Sequence, residues 1–228
     1  MPTTPAQISF PGDPSRPDVQ ALWQRPRGAK AAYVFAHGAG AGMEHRFMTG
    51  LADALAKHRV ATLRFQFSYM QAGSRRPDAE RILRATLLAA IEEGRKRAKG
   101  LPLFAGGKSM GGRMTSRASA AVGLPGVAGL VFLGFPLHPA GKPGTDRADH
   151  LHDVTQPMLF VQGTRDRLAT LDLLHPVLDG LAGAATLYII DGGDHSLVTP
   201  KRMGRSEAEV LDEVAATIAA FIERIVGS

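Results

Sequence analysis

The residues most able to do chemistry in this sequence form the pentapeptide GKSMG at residues 107–111. It lies between an apolar run at residues 101–105, which predicts a strand, and a run of small residues that predicts a helix from Met110. A serine on a sharp turn between a strand and a helix adopts a strained backbone conformation, and glycines two residues before and after it avoid a steric collision. The pattern therefore predicts that the hydroxyl of Ser109 is exposed and acts as a nucleophile.

Two other interpretations fit the same letters. The run Gly107-Lys108-Ser109 is similar to the end of a phosphate-binding loop, G-x-x-x-x-G-K-[ST], but the first glycine of that loop would fall at Pro102. A glycine-rich turn that carries an ordinary serine is the other possibility. The acidic and imidazole side chains further along the chain help to distinguish them.

A carboxylate and an imidazole follow Ser109 at the ends of two further predicted strands. The apolar run at residues 157–161 leads to Asp166, and the run at residues 186–190 leads to His195. Side chains that follow parallel strands can converge, because the carboxyl ends of such strands share one edge of a sheet. A neutral imidazole can take the proton of a serine hydroxyl while a carboxylate fixes its tautomer. We expect Ser109 to be the nucleophile, His195 the base and Asp166 the orienting acid.

Other acidic and imidazole residues are weaker candidates. Asp191 is the alternative to Asp166, whereas Asp194 is adjacent to His195 and poorly placed to reach around to its ring. Four histidines follow no predicted strand end and are expected to be structural or exposed to solvent: His58, His150, His152 and His175.

A loop of small residues could stabilise negative charge near Ser109. The apolar run at residues 31–36 predicts a buried strand that continues into the loop HGAGAG at residues 37–42. An oxyanion hole needs a backbone N–H from such a loop beside the N–H that follows the nucleophile. We expect Ala39 and Met110 to provide these groups, with Gly40 as the alternative to Ala39. His37 is expected to brace the loop by hydrogen bonding.

Five segments together resemble the small dienelactone-hydrolase-like branch of the alpha/beta hydrolases: residues 37–40, 107–112, 132–139, 162–166 and 193–196. The resemblance extends from about Ala31 to the C-terminus. It implies an alpha/beta-hydrolase fold and a triad of Ser109, Asp166 and His195. Dienelactone hydrolases themselves use a cysteine nucleophile, whereas this chain contains no cysteine.

Strands and helices alternate throughout the predicted elements, which indicates the α/β class. We expect a mostly parallel central sheet with helices on both faces, preceded by two short antiparallel strands at residues 7–10 and 19–24. A chain of 228 residues, 44% of them hydrophobic, can bury one sizeable core, so residues 1–228 are predicted to form a single domain.

The substrate pocket is predicted from loops at the same edge of the sheet. Residues 135–156 form the only long irregular segment and are too few for a cap domain, which favours small or accessible esters over long lipid chains. Five side chains that follow strand ends are expected to line the pocket, with ordinary loop packing as the alternative: Phe67, Tyr69, Phe135, Leu137 and His138.

The net charge of +6 is concentrated in residues 1–113, which contain 18 Lys and Arg against 8 Asp and Glu. Its densest run, residues 95–99, closes a predicted helix that begins near Asp78, and cations are favourable at a helix C-terminus. Because no nucleic-acid motif accompanies this run, we expect a solvated helix end and no nucleic-acid partner.

Composition also limits the compartment and the cofactors. The absence of cysteine excludes disulfides and thiolate metal sites. The sequence shows neither a signal peptide nor an apolar run of membrane-spanning length, so we expect a cytoplasmic protein without a membrane partner.

These patterns favour a serine hydrolase that acts on small-molecule carboxylic esters or thioesters through an acyl-enzyme. This chemistry needs neither a metal nor an organic cofactor, and the oligomeric state is left open. The alternatives are acyl transfer by the same triad and a non-catalytic interaction module. Lys108 either steers an acidic substrate or, as we expect, projects into solvent or pairs behind the turn.

Overall fold

Strands and helices alternate along the chain in the computed structural model, which describes residues 3–181 and 183–227. The strands are β1 (Ala6–Phe10), β2 (Val19–Gln24), β3 (Ala31–Ala36), β4 (Val60–Phe65), β5 (Leu103–Lys108), β6 (Val127–Leu133), β7 (Met158–Gly163) and β8 (Ala185–Ile190). The α-helices are α1 (Arg46–Lys57), α2 (Ser68–Gln71), α3 (Glu80–Ala98), α4 (Met110–Val122), α5 (Leu171–Asp179) and α6 (Glu207–Val226). Two 3-10 helices span Asp146–Asp153 and Lys201–Met203.

The eight strands belong to one sheet, in the order β1-β2-β4-β3-β5-β6-β7-β8. The first two strands pair antiparallel, β2 pairs antiparallel with β4, and the remaining pairs are parallel. The predicted class and the mostly parallel sheet are therefore confirmed, and no cap domain is inserted among the described residues. The carboxyl ends of β5, β7 and β8 meet at one edge, which brings together the loops that follow them.

Alternate side chains of each strand enter two apolar cores, one on each face of the sheet. In β3, Val34 belongs to the core that includes residues of α3, α4 and α5, whereas Tyr33 and Phe35 belong to the core with residues of α1 and α6. Complete burial of an apolar side chain of this size stabilises the fold by about 1.5–3 kcal/mol. The two cores hold the sheet as a fixed platform for the loops at its edge.

Helix α3 packs closely on the sheet through the apolar face that its sequence predicts. Leu83, Leu87 and Ile91 are buried. A Cβ atom at Gly94 would lie 2.5 Å from Cγ2 of Val34, so a glycine is needed at this crossing point. The basic residues Arg95, Lys96 and Arg97 lie in the last turn, as expected for a helix end.

The structure differs from the predicted elements mainly in the loops at the carboxyl ends of the parallel strands. Residues 135–156 include the 3-10 helix Asp146–Asp153, and Ser68–Gln71 form a short helix that was not predicted. The sequence predicts a helix at residues 168–181, but α5 begins only at Leu171. The Asp166 carboxylate accepts a hydrogen bond from the Leu168 N–H at 2.8 Å and holds residues 166–168 in a turn.

No helix among the described residues is long and apolar enough to span a lipid bilayer.

Candidate active site

Ser109 occupies the sharp turn between β5 and α4. Its backbone has φ 49° and ψ −113°, a conformation that is costly for a residue with a side chain. A Cβ atom at Gly107 would lie 2.3 Å from the carbonyl oxygen of Ala36, and one at Gly111 would lie 2.5 Å from the same oxygen. The two glycines are required because the end of β3 passes directly against the turn.

The structure brings Ser109, His195 and Asp166 into one hydrogen-bonded series. Nε2 of His195 lies 2.8 Å from Oγ of Ser109, and Nδ1 of His195 lies 2.7 Å from Oδ2 of Asp166. A carboxylate accepts from Nδ1–H and leaves Nε2 as an acceptor for the serine hydroxyl. The Asp166 residue is 1% exposed, whereas the side chain of His195 is 27% exposed and accessible to water.

The Asp166 carboxylate accepts hydrogen bonds from two groups besides His195. Its Oδ2 also accepts from Nε2 of Gln162 at 2.6 Å, and its Oδ1 accepts from the Leu168 N–H. The side-chain oxygen of Gln162 in turn accepts from the Phe135 N–H at 3.0 Å. Gln162 was not identified from the sequence, although a polar residue near the end of the apolar strand β7 is a signal that such a contact exists.

The two other aspartates near His195 in sequence, Asp191 and Asp194, form no hydrogen bond with its ring among the described residues. Asp191 is exposed and, within the described chain, has no hydrogen bond to His195. Oδ1 of Asp194 accepts from the backbone N–H groups of Ser196 and Val198 at 2.8 and 3.0 Å, so this residue shapes the loop that carries His195.

The four other histidines assigned no role in the chemistry lie away from this series. His58, His152 and His175 are exposed. Nε2 of His150 lies 2.7 Å from Oγ of Ser116, and burial lowers the pKa of His150 to about 4.

The loop at residues 37–42 is held in place by hydrogen bonds from His37 and Tyr69. The buried His37 donates from Nδ1 to the Gly38 carbonyl at 2.7 Å and accepts at Nε2 from the Phe67 N–H at 3.0 Å. Burial lowers the pKa of His37 to about 4, which keeps its ring neutral near neutral pH. The hydroxyl of Tyr69 donates to the Ala39 carbonyl at 2.8 Å. His37 therefore makes the bracing contacts expected of it.

The predicted oxyanion donors belong to residues that border the same cavities as Ser109. Met110 is the first residue of α4, where the backbone N–H groups lack intrahelical acceptors and the helix dipole favours negative charge. Within the described chain, neither the Ala39 N–H nor the Met110 N–H has a hydrogen-bond acceptor. Ala39 borders both cavities beside Ser109, whereas Gly40 borders only one. The assignment of Ala39 and Met110 stays a prediction.

Two cavities open beside Ser109. The first has a volume of about 280 Å³. It is lined by the loop at residues 38–41, by Phe47 and Met48 of α1, and by Lys108 and His195. The second, of about 430 Å³, is bordered by Ala39 and Met110 and extends toward Arg113 and Arg147. Both volumes suit short substrate groups.

The five side chains predicted to line the pocket border neither cavity. They are Phe67, Tyr69, Phe135, Leu137 and His138, and all are buried. Phe135 packs against Phe132 and Phe160 with ring centroids 5.4 and 5.5 Å apart, because the apolar core continues beyond the strand ends. The backbone N–H groups of Leu137 and His138 donate to the Leu168 carbonyl and hold this segment against the loop that follows β7.

Lys108 lies beside the nucleophile but does not project into solvent. Its residue is 9% exposed, and its ammonium group donates to the backbone carbonyl of His195 and lies 5.9 Å from the centre of the Phe47 ring. Burial lowers the pKa of Lys108 to about 8, and the negative charges of Asp166 and Asp194 act in the opposite direction and raise it. Lys108 therefore ties the serine turn to the loop that carries His195, and it also borders the first cavity.

The buried ammonium group predicts an unusual dependence of stability on pH. Folded Lys108 loses its proton near pH 8, whereas the unfolded side chain loses it near 10.5. Between these values the unfolded chain binds more protons, so stability should rise with pH, by about 3 kcal/mol for the full shift. Urea unfolding of the parent and of Lys108→Met across this window measures the difference. Parallel curves for the two proteins would show that the pKa of Lys108 is ordinary.

Within the described chain, no group of three or more His, Cys, Asp or Glu side chains is arranged to hold a metal ion.

A family model described as an alpha/beta hydrolase domain matches residues 29–223. Among solved structures, the chain is similar to a dienelactone hydrolase from Anabaena variabilis, with 19% identity, a TM-score of 0.77, and coverage of 98% of this chain and 99% of that one. It is also similar to a serine hydrolase without a lid from Xanthomonas campestris, with 19% identity, a TM-score of 0.70, and coverage of 99% and 95%. A third similar structure is Est1E from Butyrivibrio proteoclasticus, with 15% identity, a TM-score of 0.76, and coverage of 97% and 99%. At these identities the likeness to the solved structures concerns the fold, and it agrees with the resemblance inferred from the motifs.

Proposed function

The chain belongs to the alpha/beta hydrolase family, whose model spans most of its length, and on that premise we propose that it is a serine hydrolase of small-molecule carboxylic esters or thioesters. The observation that carries the proposal is the pair of hydrogen bonds, 2.8 and 2.7 Å long, that connects Ser109 through His195 to Asp166. These are the contacts needed to remove a proton from the hydroxyl and to stabilise the imidazolium that results.

In the first half of the reaction, Oγ of Ser109 attacks the carbonyl carbon of the substrate while its proton passes to Nε2 of His195. The carbonyl oxygen takes up the displaced electron pair, and the Ala39 and Met110 N–H groups stabilise its negative charge. The tetrahedral intermediate then collapses. The bond to the leaving group breaks, the leaving group takes the proton from His195, and the acyl group remains on Ser109.

In the second half, a water molecule repeats the attack. His195 removes a proton from the water as its oxygen bonds to the acyl carbon, and then returns that proton to Oγ of Ser109 as the acyl bond breaks. The exposed part of the His195 side chain gives water a direct path, which favours hydrolysis. The connected triad on a strained turn supports an enzyme rather than an interaction module.

Labelling with a fluorophosphonate, followed by peptide mapping, tests this proposal. The reagent should modify Ser109 in the parent protein, and Ser109→Ala should remain unlabelled. Ser116→Ala is a matched control, because Ser116 lies on α4 and its hydroxyl donates to the Arg113 carbonyl rather than to His195. Labelling of a different serine would identify another nucleophile, and a folded protein without any label would favour a non-catalytic role.

A further inference from the structure

Two arginines border the second cavity beside Ser109. Arg113 and Arg147 both border this cavity and both are half-buried. Nη1 of Arg147 donates to the His138 carbonyl at 3.1 Å. Within the described chain, the guanidinium of Arg113 makes no hydrogen bond, and neither arginine forms an ion pair with a carboxylate.

Each of the two carboxylates that border the same cavity forms an ion pair with another arginine, although Oδ2 of Asp78 is buried without a hydrogen-bond partner among the described residues. Oδ1 of Asp78 lies 2.8 Å from Nη2 of Arg16. Oε1 of Glu80 lies 2.8 Å from Nε of Arg117. The cavity wall therefore contains two arginines that form no ion pair among the described residues, and two carboxylates whose charge is partly offset by Arg16 and Arg117.

The surroundings of Arg113 disfavour the positive charge on its guanidinium group. Burial is the main cause that lowers the pKa of Arg113, followed by repulsion from Arg147 and Arg117, with Glu80 opposing them. An anion placed between Arg113 and Arg147 would remove this repulsion and would meet guanidinium groups that bind carboxylates through paired hydrogen bonds.

The position of His195 indicates which part of a substrate reaches these arginines. His195 has to protonate the leaving group, and it borders the first cavity but not the second. The leaving group therefore belongs in the first cavity and the acyl group in the second. Ser109, Arg113 and Arg147 all border the second cavity, of about 430 Å³, so an acyl group bound there lies in the same space as both arginines.

Building on the proposed hydrolase function, we propose that Arg113 and Arg147 form an anion subsite for the acyl group. The preferred substrates are then esters whose acyl part ends in a free carboxylate, such as half-esters of short dicarboxylic acids. The nearby Asp78 and Glu80 favour this singly charged group over a doubly charged phosphate. The acyl chain would place its reacting carbonyl at Ser109 and its free carboxylate between the two guanidinium groups.

A comparison of charged and neutral esters tests the subsite. The monoethyl esters of succinate, glutarate and adipate are compared with ethyl pentanoate in the parent, Arg113→Gln and Arg147→Gln, by following acid release. The measured quantity is the ratio of kcat/KM for the best half-ester to that for ethyl pentanoate. This ratio should exceed one in the parent and fall roughly 10-fold to 100-fold in each arginine variant, as expected for loss of a hydrogen bond between charged groups.

The matched control is Lys96→Gln, which removes one positive charge from the exposed end of α3. It should leave the ratio unchanged, because Lys96 lies about 24 Å along the helix from Glu80, which borders the cavity, and salt screens an exposed charge over that distance. A ratio near one in the parent, or a ratio that survives both arginine substitutions, would overturn the subsite.

Binding measurements separate failure of the subsite from failure of the catalytic proposal. Calorimetry should detect monoethyl glutarate binding to Ser109→Ala and a large loss of that binding when Arg113→Gln is added. If the parent hydrolyses ethyl pentanoate but the charged ester has no advantage, the subsite is wrong while the hydrolase function stands. If the Ser109→Ala protein binds the half-ester but the parent hydrolyses no ester, the hydrolase function is wrong while the subsite stands.

Discussion

Replacement of Ser109 by alanine should lower kcat/KM for a short-chain p-nitrophenyl ester by roughly three to six orders of magnitude. The substitution removes the oxygen that lies 2.8 Å from Nε2 of His195 and changes little of the surrounding volume. The remaining activity would come from the oxyanion donors and from substrate binding, which act without a nucleophile. Release of nitrophenolate, corrected for spontaneous hydrolysis, measures the loss.

The same assay on Ser116→Ala provides the control for this result. Ser116 lies on α4 with its hydroxyl directed to the Arg113 carbonyl and to His150, so its loss should leave most of the activity. Circular dichroism of both variants checks that they are folded. A Ser109→Ala protein with half of the parent activity would show that the nucleophile lies elsewhere.

Substitution of Asp166 by asparagine should reduce kcat by about four orders of magnitude. The Asp166 carboxylate accepts three hydrogen bonds, from Gln162, Leu168 and His195. An asparagine side chain has only one acceptor oxygen, so at least one of these donors would face an NH₂ group. If that donor is Nδ1 of His195, the ring changes tautomer and Nε2 can no longer accept the serine proton.

Asp191→Asn is the matched comparison for this prediction, because it makes the same chemical change at an exposed residue in the neighbouring loop. It should alter kcat little. The opposite ranking of the two variants would identify Asp191 as the orienting acid. The pair therefore distinguishes the two carboxylates that the sequence alone left as alternatives.

The sequence predicted best the features that depend on local chemistry. The apolar run at residues 31–36 predicts a buried strand, and β3 has the same bounds, Ala31–Ala36. The turn at Ser109 was recognisable because the pattern G-x-S-x-G is short and continuous in sequence, although the contact that requires its glycines, with the Ala36 carbonyl, comes from another strand. The fold class followed from the alternation of elements, since parallel strands with connecting helices have few possible arrangements.

Features that depend on distant contacts were not predictable in the same way. The aromatic residues Phe67 and Phe135 follow strand ends, as pocket residues do, but their side chains turn into the core. The walls of the first cavity come instead from Phe47 and Met48, whose pattern on α1 is that of ordinary helix packing. Within the described chain, Arg113 forms no ion pair, because Asp78 pairs with Arg16 and Glu80 with Arg117. These pairings depend on contacts between residues distant in sequence, so the sequence does not show them.

The approach of one carbonyl, that of Ala36, to both glycines of the serine turn has an evolutionary consequence. The same strand end leads directly into the loop that contains Ala39, so the backbone that excludes a side chain at Gly107 or Gly111 also positions the predicted oxyanion donor. A larger residue at either glycine would have to displace both halves of the site together. Divergence of this enzyme is therefore expected to proceed by coordinated, epistatic changes at the turn, and by independent single changes only in the more distant cavity walls.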